Sequence, residues 1–170
     1  MRVERLSDLL RDVPEVEDPP TGALQELAAL EDTQVLDLWV DVSRSRAGVL
    51  LEARQSGAVP AGNAVVLVVT GLRDVRWTRV AETARVHAFS IGGGGVTEVV
   101  GGFQLLLQCE PQSDLVAVGS SLSAHFVRVP GLPRAPVDYA ADDASVLAGT
   151  PSWRHGAEVL VSWSLVTGPS

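Results

Sequence analysis

The sequence predicts one α+β domain, mainly β, in which one or two short N-terminal helices precede an antiparallel sheet. Two observations indicate this class. The spacing of apolar residues changes near residue 34 from a helical repeat to a repeat of two. From there to residue 129, short apolar segments alternate with turns rich in Gly, Pro, Asn and Ser. Strands of this length and spacing form a sandwich or a partial barrel.

The domain divides into three parts by composition. We expect residues 1–32 to form a helical segment, residues 33–129 the antiparallel core, and residues 130–170 a proline-rich connector followed by a final strand. A chain of 170 residues is long enough to bury most of its apolar surface as a single unit.

The centre of the sheet is predicted at Ala64–Val69. This segment is the longest uninterrupted apolar run, it is rich in valine, and Thr70-Gly71 follows it. A short β-branched run bounded by a turn signal is typical of a strand that is buried on both faces.

The first 32 residues have the spacing of short helices. Apolar residues three and four positions apart predict an amphipathic helix that stops before Pro14; they are Val3, Leu6, Leu10 and Val13. A second helix is predicted over Leu24–Leu30, with Thr21 as its N-cap.

The first predicted strand is Val35–Val42, and Gly48–Arg54 returns beside it as a hairpin. Its even positions are all apolar and predict the face in the core: Leu36, Leu38, Val40 and Val42. Trp39 then points to the opposite face, between Asp37 and Asp41.

The later strands are predicted from the same alternation of apolar residues. Phe103, Leu105, Leu107 and Cys109 are predicted to share a face, as are Val159, Val161, Trp163 and Leu165 of the final strand. Gly92–Gly95 is predicted to be a turn, and Gly101-Gly102 a bulge. A single helical turn is expected at Asp142–Leu147.

Composition excludes several kinds of chemistry. All 13 basic residues are arginine, so no lysine is present to act as a phosphate ligand, a Schiff base or a general base. The net charge of −8 disfavours nucleic-acid binding and suits a basic protein partner. No signal sequence or apolar stretch of about 20 residues is evident, so a cytoplasmic protein without membrane contact is expected.

The sequence predicts no catalytic residue, no metal site and no cofactor. His87, His125 and His155 lack the spacing of metal ligands. Ser90 lies in a segment like a nucleophile elbow, but glycines follow it where that motif requires a helix. The lone cysteine, Cys109, is expected to be a small core residue.

One resemblance covers residues 33–130. The progression from VVLVVTGLRDVRW through GGFQLLLQCE to LVAVGSSLSAHFVRV resembles small β-rich immunity proteins of bacterial polymorphic toxin systems, and uncharacterised actinobacterial proteins of similar layout. The resemblance lies in the pattern of strands and transfers no functional residue. It implies a non-catalytic protein that blocks a toxin by binding it. The alternatives are a small-molecule binder that uses the mouth of a half-open barrel, and a structural subunit of a larger assembly.

The candidate partner-binding residues are Asp37, Trp39 and Asp41. A large aromatic side chain between two carboxylates on a non-core face is typical of a binding anchor for a basic partner. The alternative is that the N-terminal helix covers Trp39, and that the two aspartates pair with Arg46 or Arg54. A further cluster, Arg73, Arg76 and Arg79, is expected to pair with the acidic strand Val35–Val42.

Overall fold

The computed structural model describes residues 1–11, 30–57, 59, 61–79, 88–139, 141 and 143–166. These residues form ten strands, one α-helix and two 3₁₀ helices. In chain order the strands are β1 (Arg2–Val3), β2 (Gln34–Asp41), β3 (Arg46–Glu52), β4 (Ala64–Thr70), β5 (Asp74–Arg79), β6 (Phe89–Val99), β7 (Gly102–Glu110), β8 (Ser113–Gly119), β9 (Ser121–Arg128) and β10 (Ala157–Val166). The α-helix, α1, is Asp143–Gly149, and the 3₁₀ helices are Leu6–Leu10 and Val42–Arg44.

All the strand pairs are antiparallel, in the order β1-β10-β9-β4-β3-β2-β6-β7-β8-β5. The mainly β antiparallel class is therefore confirmed, and within the described residues the sheet is not closed. The sheet consists of a six-stranded half, from β1 to β2, and a four-stranded half, from β6 to β5. Among the described residues, two strand pairs join the halves, Gln34 with Ser90 and Val35 with Phe89, and backbone hydrogen bonds of Asp32 and Thr33 with Ile91 extend this contact.

The two halves enclose an inner core. Both halves contribute buried side chains to it, among them Leu51, Leu67, Leu107, Phe126 and Trp163. Of the predicted common face, Leu105, Leu107 and Cys109 are buried in this cluster, whereas Phe103 is half-buried and does not belong to it. Because large apolar side chains face inward from both halves, this core holds the curled sheet together.

A second core lies on the outer face of the six-stranded half. The alternate residues Ala64, Val66 and Val68 of β4 face it, while their neighbours face the inner core. Residues Leu6 and Leu9 of the first 3₁₀ helix and Trp153 of the C-terminal part cover this face. The strand β4 is thus buried on both sides, as its unbroken apolar run predicts.

Gly48 on β3 lies directly beneath the side chains of Leu10 and Trp153, which cover the outer face of the sheet. A β-carbon at residue 48 would lie 2.3 Å from Leu10 Cδ2 and 3.0 Å from the Trp153 ring. Gly48→Ala is therefore expected to lower the free energy of unfolding by about 1–3 kcal/mol, because a tightly packed site must be overfilled. Urea denaturation checks this, with Gly57→Ala as control, since no atom lies within 4 Å of a β-carbon there. An equal loss in both variants would contradict close packing at Gly48.

Two predicted features of the strands are wrong. Gly92–Gly95 is not a turn but part of β6, and the turn lies at Val100-Gly101, where Gly101 has a φ of 72°. Glycine is needed inside β6 because a β-carbon on Gly94 would lie 2.1 Å from the Leu106 carbonyl oxygen. Gly102 begins β7 and does not form a bulge.

Bulges change which residues share a face. The register of β2 shifts between Val35 and Asp37, so Leu36 packs with the outer core, whereas Leu38 packs with the inner core. Val42 begins a 3₁₀ helix and is 83% exposed, so it does not belong to the core as predicted. A similar shift in β10 places Val159 in the outer core and Trp163 in the inner one, against the prediction of a common face.

The N-terminal and C-terminal predictions are met in part. The predicted first helix is a 3₁₀ helix over Leu6–Leu10, and Val3 belongs to a strand paired with β10. The predicted helical turn near residue 142 is α1. Several predicted features lie outside the described residues: Val13, Thr21, most of the second helix at Leu24–Leu30, His87 and Asp142.

Candidate functional site

The outer edge of β2 runs past the predicted binding residues. Gln34 and Val35 pair with Ser90 and Phe89 of β6. From Leu36 to Asp41, no strand among the described residues pairs with this edge, although β3 pairs with the opposite edge.

The side chain of Asp37 accepts a hydrogen bond from the backbone of the next residue. The Leu38 N–H donates a hydrogen bond of 2.8 Å to Oδ1 of Asp37. This bond places the Leu38 N–H on the outer edge, because an N–H directed at β3 would bond to that strand. N–H groups two residues apart point to the same side of a strand, so the Val40 N–H also faces outward.

A small apolar cleft opens beside the beginning of this edge. Its wall on β2 is formed by Val35–Leu38, and its opposite wall by Trp77 and Phe89. The two rings meet edge to face, with centroids 4.8 Å apart and planes at 72°. The cleft measures about 190 Å³. Its apolar walls and the exposed Asp37 carboxylate lie next to each other.

Trp39 faces away from the inner core, as predicted, and is partly covered. It pairs with Gly48 and meets the Trp153 ring edge to face at 6.0 Å between centroids. Even so, Trp39 is 41% exposed, and its neighbours Val40 and Val42 are exposed as well. Three exposed apolar side chains lie within four positions at the end of β2, with Trp39 and Val40 on opposite faces of the strand; we call these residues (Trp39, Val40 and Val42) the β2 patch.

The two aspartates beside Trp39 differ in their bonding. Asp41 accepts hydrogen bonds from the Ser43 hydroxyl and from the Arg44 side chain and backbone N–H. The Ser43 hydrogen bond, followed by that of Arg44, lowers the pKa of Asp41 to about 2. Asp37 is exposed and makes no ion pair with any described residue. Of the two carboxylates, that of Asp37 therefore makes fewer hydrogen bonds with the described residues.

Neither predicted arginine partner reaches these aspartates. Arg46 donates to the carbonyl oxygens of Leu10 and Arg11, and so binds the N-terminal 3₁₀ segment to the sheet. Arg54 pairs with Glu52 instead. The alternative in which Asp37 and Asp41 pair with Arg46 or Arg54 is therefore wrong.

The arginines after the central strand are engaged elsewhere too. Arg76 forms a 2.9 Å ion pair with Asp74 on its own strand, and Arg73 donates to the Val100 carbonyl oxygen. Both contacts lie in or beside the four-stranded half of the sheet. The prediction that these two side chains pair with β2 is therefore wrong.

The two potentially reactive side chains, His125 and Cys109, are both buried inside the protein. His125 is fully buried, with Nδ1 2.8 Å from the Ser162 hydroxyl and Nε2 3.3 Å from the Ser123 hydroxyl. Burial lowers the pKa of His125 to about 4. Cys109 is buried, as predicted, and burial raises the pKa of its thiol to about 11. At neutral pH, these groups are a neutral imidazole and a protonated thiol.

One buried ionic cluster was not predicted from the sequence. Arg54 forms an ion pair with Glu52, and their side chains are only 4% and 0% exposed. Arg54 also donates to the carbonyl oxygens of Pro133, Ala135 and Gly149. The guanidinium thus links β3 to the connector and to α1. A Glu-x-Arg spacing at a strand end was the available signal, but it does not identify these distant carbonyl partners.

Comparisons with known proteins name no relative: no protein-family model matches the chain, and no curated protein matches it. Within the described ranges, no helix is long and apolar enough to cross a membrane. Those ranges also contain no group of three or more His, Cys, Asp or Glu side chains that could hold a metal ion.

Proposed function

We propose that this protein is a non-catalytic protein-binding protein that recognises a basic partner through β2, in the manner of an immunity-type inhibitor of a basic toxin. The observation that carries the proposal is the β2 patch beside Asp37. Exposed apolar side chains are common singly, but an exposed tryptophan at a strand end that also carries two exposed valines is a candidate contact site.

The acidic charge of the chain supports the proposal that its partner is basic. The chain carries 21 acidic residues against 13 arginines. Asp37 adds an exposed carboxylate close to Trp39 without a cationic neighbour among the described residues. An acidic surface steers a basic partner during association, and this attraction weakens as salt screens the charges.

A small-molecule binder is the competing class. Pockets for such ligands usually measure about 300–1,000 Å³ and are mainly apolar. The apolar cleft next to β2 holds about 190 Å³, enough for one side chain. A larger concavity of about 450 Å³ beside Gln108 and Asp114 is lined largely by polar side chains and opens to solvent. The cleft beside β2 lies below the usual size range, which favours protein binding at this site. The third class, a structural subunit, would also use an exposed apolar patch.

Trp39→Ala with Asp37→Asn is expected to abolish partner binding and to leave the domain folded. Truncation of a tryptophan anchor costs about 2 kcal/mol or more, which weakens affinity by about 30-fold. The partner is first captured from a lysate of the source organism on the wild-type protein, identified, purified and titrated calorimetrically against both proteins. A basic toxin as the captured protein would support the immunity-type role.

The matched control is Leu147→Ala, which removes an apolar side chain that is 69% exposed on α1. Its affinity should equal that of the wild type. Unchanged affinity of the double variant would contradict the site at β2. Unfolding of the double variant would instead identify Trp39 as a core residue, and near-unchanged urea midpoints are therefore part of the expected result.

A further inference from the structure

We infer that two copies of this chain pair antiparallel through β10, about a twofold axis at Trp163, so that their sheets join edge to edge. This inference goes beyond the proposed function and does not depend on it, because β10 and β2 lie on opposite sides of the six-stranded half. Three observations carry it: an uncharged strand at the end of the sheet, backbone groups directed outward from it, and a sequence that reads nearly alike in both directions.

The two ends of the sheet differ in charge. β5, at one end, exposes an ion pair between Asp74 and Arg76. At the other end, the short β1 pairs only with the beginning of β10, up to Val159. The remaining residues, Leu160–Val166, have the sequence LVSWSLV, without a charge or a proline. Charges and prolines usually prevent end strands from pairing with another molecule, so this stretch lacks that protection.

The far edge of β10, the edge away from β9, carries exposed apolar side chains. Beyond Val159, no strand in the described part of the chain pairs with this edge. Val161 is 43% exposed and Val166 is 68% exposed. A further strand at this edge would cover apolar area that now faces solvent.

The backbone of β10 directs hydrogen-bonding groups towards the far edge. In β9, the Val127 carbonyl oxygen accepts a hydrogen bond from the N–H of Asn63, next to β4, so the backbone groups of Val127 face β4. These groups alternate in direction along a strand, so those of Phe126 and of every second residue before it face β10. Their partners in β10 are Val161, Trp163 and Leu165. The intervening Ser162 and Ser164 therefore present their N–H and C=O groups to the far edge.

The sequence of this stretch is nearly symmetrical about Trp163. Chemically similar residues stand at equal distances on its two sides: Ser162 and Ser164, Val161 and Leu165, Leu160 and Val166. In an antiparallel pair centred on Trp163, Ser162 faces Ser164 of the second copy, and the two exchange backbone hydrogen bonds. On the other face, the exposed Val161 meets Leu165 of the second copy, which covers apolar area without burying a charge. The strand is thus complementary to itself, which selects a second copy as the occupant.

Symmetry and charge limit the assembly to a weak dimer. Pairing of β10 with β5 of another molecule would continue without end and would place the Asp74–Arg76 ion pair against an uncharged strand. A twofold pair closes after two copies. Each copy has a net charge of −8, so the copies repel each other, and salt that screens this repulsion should strengthen the pairing. An interface one strand wide falls in the size range of weak complexes.

Sedimentation equilibrium of the full chain, from micromolar to millimolar concentration, tests the pairing. The mean mass should rise with concentration from that of one chain towards that of two, and more steeply at higher salt. Ser164→Pro removes an outward N–H at an edge position that tolerates proline, and should weaken association at least about tenfold. Its matched control, Ser164→Thr, keeps the N–H and should associate like the wild type. A wild type that stays monomeric throughout would overturn the inference.

A substitution at the β2 patch separates the two surfaces. Trp39→Ala should leave the dimer unchanged, because Trp39 lies on β2 and not on β10. If Trp39→Ala abolishes self-association and Ser164→Pro does not, the contact lies at the β2 patch and pairing through β10 is wrong. Neither result changes the expected binding of a basic partner, which is measured separately. Thermal unfolding shows whether each variant keeps its fold.

Disulfide cross-linking tests the register and does not depend on the proline variant. Val161→Cys is mixed with Leu165→Cys under mild oxidation. Facing residues of a pair without hydrogen bonds have Cα atoms about 4.5 Å apart, which a disulfide can span. The two Val161 positions of a dimer would lie about 13 Å apart along the strands, out of reach. We therefore expect a cross-linked dimer in the mixture and not in either variant alone. Equal cross-linking in all three samples, or none in the mixture, would contradict a twofold axis at Trp163.

Discussion

Arg54→Ala is expected to lower the free energy of unfolding by about 3–5 kcal/mol, one of the largest effects of any single substitution in this chain. The reason is burial. The Glu52 side chain has no exposed area, so loss of the guanidinium leaves a carboxylate without its cation inside the protein. The variant also loses three hydrogen bonds to the connector and to the end of α1. Urea denaturation followed by tryptophan fluorescence measures the loss.

Two comparisons make this prediction specific. Arg128→Ala breaks an exposed pair with Glu158, at 3.3 Å, and should cost no more than about 1 kcal/mol. Glu52→Leu with Arg54→Met removes both charges and should cost less than Arg54→Ala, since no charge is left unpaired. A double variant that is less stable than the single variant would show that the ion pair itself, and not the unpaired charge, determines the effect.

The second large effect is a loss of stability on mild acidification, caused by His125. Its folded pKa of about 4 is below its ordinary value of 6.5, because burial disfavours the charged ring. The unfolded chain therefore binds a proton at a higher pH than the folded chain does. The stabilising contribution is complete above pH 6.5 and decreases as pH falls towards 4. This loss amounts to about 2 kcal/mol at pH 5 and about 3 kcal/mol in full.

The measurement is the free energy of unfolding as a function of pH in the wild type and in His125→Asn. The variant should be less stable at neutral pH, because its side chain fills the site between Ser123 and Ser162 less well. It should also lack the wild-type decrease between about pH 7 and 5. Parallel curves for the two proteins would mean that His125 titrates normally in the folded state, and would contradict its burial as a neutral ring.

Local patterns in the sequence predict the strands of this fold well. The valine run at Ala64–Val69 is β4, buried on both faces, and the alternation in Leu105–Cys109 identifies the inner face of β7. Both features are set by neighbouring residues alone. The prediction of a turn at Gly92–Gly95 is wrong because glycine serves two purposes. It permits turns, and it also permits close approach of another backbone, which is its role at Gly94 beside Leu106.

Features that depend on distant contacts were not predictable in the same way. The bulge at Leu36 changes the face of every later residue in β2, but no residue type marks it in advance. The cleft needs Trp77 and Phe89 to meet across the curled sheet, and their contact depends on the packing of both halves. The sequence predicts that Trp39 points away from Leu38, but not that this face carries a second core, whose Trp153 ring partly covers Trp39.

The pairing of β1 with β10 has a consequence for how the protein is made. Arg2 and Val3 lie against Glu158 and Ala157, and Met1 exchanges backbone hydrogen bonds with Val159. On the ribosome, therefore, β1 emerges early but stays without its strand partner until β10 has been translated. During that interval β9 also presents one unpaired edge, which is a site where nascent chains can associate wrongly. The pairing of β1 with β10 can form only after β10 has been made, and such long-range strand pairing is slow.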